Sequence, residues 1–311
     1  MINTDSRVAV LIPTHDHGAM IQHAIASALD QTVPVAEVLV VGDGVPAETA
    51  SLLEQLAAGE PRLRFFLFEK GPRHGEIHRH HVLSREASAD VVCYLSDDDI
   101  WFPDHVETML GVLQRAETAF ASCVNVRPGG EIRGYVHNMS MSAWRHWVLE
   151  NHNQVPLSGF AHRMATYEAL PHGWQTTPSD IATDIYMYQQ FFRAGVTAES
   201  TFVPTVMHFA SRPRQELSRS DRLGELEYYA ANRTDSRWRD MVINRSVLDH
   251  VQHRAARIQM QSWEMAATAI DRQTELESQI AQLQKDRRSG CLALRTLRDA
   301  ILRRLRLGGR I

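Results

Sequence analysis

Short β-branched runs alternate with stretches of helical period from residue 7 to residue 209. Residues 7–12 read Arg-Val-Ala-Val-Leu-Ile and stop at Pro13, the pattern of a strand buried on both faces. A polar turn follows over 13–18. Met20, Ile21, Ile25, Ala28 and Leu29 then recur at helical spacing until 31–34 breaks the helix at Pro34. The alternation repeats with a strand over 37–41 that ends in Gly42-Asp43-Gly44, a helix over 49–58, a strand over 62–68 and a helix over 82–89. The apolar run 91–95 drives straight into Ser96-Asp97-Asp98-Asp99, and a helix over 104–115, a strand over 119–126, a helix over 181–195 and a strand over 201–209 follow. This order predicts an α/β fold with a parallel sheet and right-handed crossovers, in which ligands bind beyond the carboxyl ends of the strands. Three polar strand ends then fall on one rim: Pro13-Thr14, Asp43 and Asp97-Asp98-Asp99.

After residue 214 the pattern changes, which divides the 311 residues into an α/β domain over 1–214 and a helical region over 215–311. Residues 217–249 are mixed, polar and helical. Residues 250–286 contain neither Gly nor Pro, and Ala266, Ala269, Gln273, Leu276, Ile280 and Leu283 alternate at spacings of three and four. That seam predicts a coiled coil or bundle helix, able to form a homo-oligomer or to pack on its own domain. Over 291–308, Leu294, Leu297, Ile301 and Leu305 share a face against a background of arginines, a basic amphipathic helix suited to an anionic membrane surface or a protein partner. A solvated terminal helix fits the same residues.

A formal net charge of -4 gives no reason to expect nucleic-acid binding. No apolar run approaches the roughly 20 residues that span a bilayer, and residues 1–5 do not read as a secretion signal. Cys93, Cys123 and Cys291 are few, odd in number and widely spaced, against a disulfide framework. The expected place is the cytoplasm, with peripheral contact at the inner face of the membrane through the C-terminal helices.

Three adjacent carboxylates repel each other unless a cation or a solvated turn offsets the charge. At the end of a buried strand, Asp97-Asp98-Asp99 reads as a divalent-metal site with oxygen ligands, or as an acidic turn. Upstream, residues 71–81 gather Arg73, Arg79, His74, His78, His80 and His81 with Gly71 and Gly75. That composition suits a diphosphate held by charge-assisted hydrogen bonds, or a solvated basic loop. A zinc site from His78, His80 and His81 has the residue type but not the usual spacing. Trp144, His146, Trp147 and His152 offer rings for stacking on a sugar acceptor, or a half-buried helix face.

Residues 8–16 (Val-Ala-Val-Leu-Ile-Pro-Thr-His-Asp), 39–44 (Leu-Val-Val-Gly-Asp-Gly) and 94–104 (Tyr-Leu-Ser-Asp-Asp-Asp-Ile-Trp-Phe-Pro-Asp) resemble the successive strand ends of family 2 glycosyltransferases. The resemblance covers the chain to residue 210. It implies the GT-A fold, a Rossmann-like nucleotide-diphospho-sugar transferase domain. It also implies a nucleotide-sugar donor, a divalent manganese or magnesium ion, a saccharide or glycan acceptor, and inversion at the anomeric centre. By this resemblance Pro13 and Thr14 line the base pocket, Asp43 binds the base, Asp97 faces the ribose and metal, and Asp98 is the main metal ligand. Asp184 falls where the family carries its catalytic base, with Thr183 in place of a Glu. A helix-start Asp is the plainer reading, and Asp180 is the other candidate base. His208 stands where the fold supplies a metal ligand or a diphosphate contact, or else it is a core histidine. Arg79 and Arg212 are expected phosphate contacts, Arg212 within a mobile basic loop over 211–214.

Gly42, Ser96 and His80-His81 depart from the family's common residues. The expected function is a metal-dependent inverting glycosyltransferase of the hexosyltransferase type, in bacterial surface polysaccharide or glycan synthesis. The alternative is a non-catalytic GT-A-like nucleotide-sugar-binding scaffold whose helical tail serves assembly. A sugar nucleotidyltransferase would need a Gly-rich, Lys/Arg-bearing loop where 13–17 stand, and they are not one.

Overall fold

The first strand, β1 (Val8–Thr14), sends Val8, Val10 and Ile12 to one apolar core and Ala9 and Leu11 to another, and all are fully buried. A strand covered on both faces has no polar side to show, which is why its sequence runs apolar without alternation. The computed structural model describes residues 2–152, 155–288 and 302. After β1 come α1 (Ile21–Leu29), β2 (Glu37–Asp43), α2 (Ala47–Gly59), β3 (Leu63–Phe68), α3 (Glu76–Arg85) and β4 (Val91–Tyr94). Then follow β5 (Ile100–Trp101), α4 (His105–Leu113), β6 (Thr118–Arg127), β7 (Glu131–Tyr135), α5 (Ser142–Leu149), β8 (Phe160–Arg163) and α6 (Met164–Glu168). The chain closes with α7 (Thr183–Arg193), β9 (Ala198–His208), α8 (Arg219–Asn232) and α9 (Ser236–Arg288).

The sheet runs β3-β2-β1-β4-β8-β6-β9-β5, with β7 paired to β6. The strands β3, β2, β1 and β4 are parallel, and β8 is antiparallel to both β4 and β6. Parallel registry brings Thr14 opposite Gly42 and Asp43 opposite Phe68, so the polar ends of β1 and β2 meet at one edge. The chain leaving β4 reaches the same rim one strand over.

The sheet is mixed where the alternation predicted a parallel one, because β8 enters antiparallel between β4 and β6, and two further elements differ from the sequence expectation. The histidine-rich stretch is helix from Glu76 onward, not loop as far as 81. Gly75, at φ +68, turns the chain into α3, whose buried face is Glu76, Arg79, Val82 and Leu83. Two of those four are charged, so hydrophobic period does not show the first turns. Residues 211–214 are also anchored. They form a tight turn in which the buried Arg214 donates to Glu225 of α8 and to the Val126 carbonyl.

A third core joins Phe102, Val124, Met207 and Phe209 to Leu226 and Tyr229 of α8 and Val242 of α9. By its contacts the first unit runs over Met1–Val251, and the chain from Gln252 forms a second. In that second unit α9 exposes Ile258, Met260, Trp263, Met265, Ile270 and Ile280. No helix among the described residues is long and apolar enough to cross a membrane. Apart from Leu302, the basic helix expected over 291–308 lies outside the described residues, as does the Leu283 side chain.

Candidate active site

Beyond β4, Asp97, Asp98 and Asp99 are all buried, and each meets different partners. Asp97 accepts from Thr14 Oγ1 at 2.6 Å and lies 2.7 Å from His17 Nδ1. Asp98 accepts from Ser211 Oγ at 2.8 Å and from Arg222 Nη2 at 3.1 Å. Asp99 accepts from the Phe209 N–H at 2.8 Å and from Ser158, and lies 3.0 Å from His208 Nδ1. Three carboxylates thus face two imidazoles and a guanidinium.

The electrostatics follow. Burial, helped by the neighbouring Asp99 charge, pushes Asp98 up to about 6 against the pull of His17. Burial would lower His17, but its hydrogen bond to Asp97 and the charges of Asp97 and Asp98 outweigh that and raise it to about 9. For Asp99 burial acts upward, yet the charge and hydrogen bonds of His208 and its other donors hold it below the usual range. His208, which burial alone would lower, is raised by Asp99.

One donor atom each from His17, Asp97 and Asp98 lies within 4.8 Å of the others. Adjacent ligands of an octahedral ion with bonds near 2.1 Å stand about 3 Å apart, so these atoms need only small shifts to share one. A nitrogen with carboxylate oxygens fits manganese and, less selectively, magnesium. His17 carries no positional signal in the sequence, where it is one of two histidines in a polar turn. His208 has its Nδ1 on Asp99, and the histidine that gathers with Asp97 and Asp98 is His17. His78 stacks on Phe68 at 4.4 Å while His80 Nδ1 sits 2.8 Å from the Tyr167 hydroxyl. His81 meets Phe68 edge to face at 5.7 Å, and among the described residues the zinc alternative, already disfavoured by its spacing, gathers no ligand set.

A cavity of about 590 Å³ is lined by Pro13, Thr14, Asp43, Arg79, Asp97, Asp98, Asp184 and His208. Arg212 lines a neighbouring cavity of about 650 Å³ that shares Ser96, Asp184 and His208 with the first. Asp43 accepts from Lys70 Nζ and from the Gly71 N–H, each at 2.6 Å, and a Cβ on Gly75 would meet Asp43 Cγ at 2.6 Å. The carboxylate therefore ties the basic loop to the end of β2. Arg79 is buried, donates to the His74 carbonyl and lies over the Trp174 ring at 4.9 Å.

Asp184 is the second residue of α7, where the helix end favours its anion, and the Ile185 N–H donates to it at 2.9 Å. Thr183 donates to Glu76 Oε1 at 3.0 Å, which ties the start of α7 to the start of α3. Glu76 is fully buried, and the sequence carries no signal for it, since it stands inside the basic stretch 71–81 ahead of the apolar period. Asp180 is exposed and outside the cavity lining. Trp144 and Trp147 on α5 pack edge to face at 5.7 Å, Trp144 partly into the core.

Residues 9–174 match the profile of glycosyl transferase family 2. The hyaluronan synthase of Pasteurella multocida is 29% identical over 136 residues, 42% of this chain and 14% of that protein. A putative teichuronic acid biosynthesis glycosyltransferase of Bacillus subtilis, TuaG, is 27% identical over 121 residues, 39% of this chain and 47% of that protein. The matched stretch thus spans less than half of either relative. Residues 1–349 of S. aureus TarS, crystallised with UDP-GlcNAc, superpose with a TM-score of 0.53 at 13% identity, over 79% of this chain and 73% of that one. That likeness is one of fold, the mixed α/β GT-A sheet.

Proposed function

The chain belongs to glycosyl transferase family 2, and on that premise we propose that it is a metal-dependent inverting enzyme of bacterial surface polysaccharide or glycan synthesis. It moves a sugar from a nucleotide-diphosphate donor to an acceptor hydroxyl. One observation supports the reading above others: Asp97, Asp98 and Asp184 line a single cavity. The relatives named for hyaluronan and teichuronic acid point to a polysaccharide acceptor, and the UDP-GlcNAc complex of TarS makes a UDP-sugar the first donor to test.

In this reading Pro13, Thr14 and Asp43 receive the base end of the donor. Arg79 and Arg212 meet its phosphates, together with His208, whose ring is oriented by Asp99. A manganese or magnesium ion on Asp97, Asp98 and His17 would supply positive charge against the diphosphate leaving group. Asp184 takes the proton of the acceptor hydroxyl as that oxygen attacks C1 from the face opposite the diphosphate. The new C1–O bond forms as the bond to the diphosphate breaks and its electron pair leaves with the diphosphate, so the configuration inverts. The exposed apolar residues of α9 suit self-association, and residues 291–308 suit contact with the inner face of a membrane.

Thermal-shift measurements with UDP-, GDP- and dTDP-sugars, with and without manganese, test the donor side; transfer assays on two variants test the chemistry. Asp98→Asn should abolish the manganese-dependent shift. Asp184→Asn should keep donor binding and lose about 10²–10⁴-fold in transfer rate. Normal transfer by Asp184→Asn would overturn the base assignment, and donor binding without transfer to any acceptor would favour the scaffold.

A further inference from the structure

Arg222 lies on α8, outside the stretch that matches the family profile, yet its Nη2 sits 3.1 Å from Asp98 Oδ2. The same oxygen accepts from Ser211 and lies 3.8 Å from His17 Nδ1, so the guanidinium shares the carboxylate on which the proposed metal reading rests. The side chain is largely buried, and its Nε is buried with no hydrogen-bond partner. An arginine held by one nitrogen, with another donor unsatisfied, has not used its fork.

The helix beneath it is fixed. One turn further along α8, Glu225 takes two hydrogen bonds from the buried Arg214, and Leu226 and Tyr229 pack into the third core. The Arg222 side chain can therefore change partners while α8 stays in place. A divalent cation on Asp98 and an arginine on the same oxygen are like charges competing for one anion, so occupancy by one disfavours the other.

We propose that Arg222 is a donor-binding residue that serves as the internal counter-ion of Asp98 and hands that carboxylate to the metal when the donor arrives. Metal entry with the donor releases the guanidinium from Asp98, and the nearest new anion is the diphosphate that enters with the metal. Its planar fork matches phosphate oxygens, which supply the partner its Nε lacks. Metal without nucleotide must displace Arg222 into an environment with no such anion. The two ligands are thereby coupled: the metal binds weakly alone and well with a diphosphate.

Mn²⁺ binding to the full chain is measured by electron paramagnetic resonance titration, first alone and then with UDP, for wild type, Arg222→Gln and Arg222→Lys. Circular dichroism and melting curves establish that the variants fold. Arg222→Gln should bind Mn²⁺ alone about tenfold more tightly and UDP at saturating Mn²⁺ about tenfold more weakly, the order of one charge-assisted hydrogen bond. Arg222→Lys keeps the charge but not the fork, so its Mn²⁺ affinity should stay near wild type while UDP affinity falls. Unchanged or weaker Mn²⁺ binding by Arg222→Gln overturns the proposal while leaving the metal reading intact. Absence of Mn²⁺ binding in wild type, with or without UDP, overturns both.

Discussion

At the residue scale, buried charge and buried imidazole explain much of the chemistry of this chain. Asp99, third in its acidic run, accepts from Phe209, Ser158 and His208 and so locks the end of β9 to the chain leaving β4. Its neighbours one and two positions earlier face the cavity instead. Away from the site, His105 stacks on Trp101 at 4.1 Å with its Nδ1 2.8 Å from Thr205 Oγ1, while its buried Nε2 has no partner. Burial lowers its pKa to about 3, so the folded protein keeps the ring neutral in mild acid while the unfolded chain protonates it. Stability tied to this group is full above about 6.5, the unfolded value, and is lost as pH falls from there towards the folded value. Phe at this position keeps the stack and cannot titrate. His105→Phe should therefore gain about 1.4 kcal/mol relative to wild type on going from pH 7.5 to 5.5. Urea unfolding at the two pH values measures the difference, and an unchanged gap would show that the ring is not neutral in the fold.

At the element scale, two glycines with similar backbone angles do different work. Gly195 (φ +74) ends α7 with nothing within 4 Å of an added Cβ, whereas Gly75 (φ +68) stands against Asp43. Gly195→Ala should cost about 1 kcal/mol of stability, the left-handed penalty alone, and leave nucleotide binding unchanged. Gly75→Ala must also move Asp43 off Lys70 and Gly71, so its UDP affinity should fall about tenfold, the order of one charge-assisted hydrogen bond. Calorimetric titration of both variants separates the two effects, and equal UDP affinity would mean that Asp43 does not organise the basic loop. Gly195 closes the helical period over 181–195, a local role that the sequence itself displays. Gly75 stands out in the sequence only as one residue of a basic stretch, since its close contact is with Asp43 at the end of β2. The same contrast explains α3, whose first turns are buried through Glu76 and Arg79 rather than through an apolar stripe.

At the scale of the whole molecule, the composition shift after residue 214 is real, but the contacts do not break there. The first unit continues through α8 and the start of α9 to Val251. Gly134 of β7 shows how closely the two elements meet, since a Cβ there would run into the Ser246 carbonyl of α9. Beyond Gln252, the seam of half-buried Leu276 and exposed Ile280 is proposed to pair with a second copy, as apolar positions at heptad spacing do. Light scattering coupled to size exclusion should show a dimer for the wild-type chain and a monomer for Leu276→Asp/Ile280→Asp, and a monomeric wild type would sink the pairing. The strand ends Thr14, Asp43 and Asp97–Asp99, the helix start at Asp184 and the parallel sheet that aligns them were legible in the sequence alone. Each is written in a local pattern, an apolar run that stops or a helical period that begins. The partners of the acidic run were not. His17, Ser158, Ser211 and Arg222 reach it from 59 to 124 positions away along the chain. Only the folded sheet decides which of many polar residues meet there, because a buried carboxylate is satisfied by whatever donor packing brings near, and no periodicity in the chain records that choice.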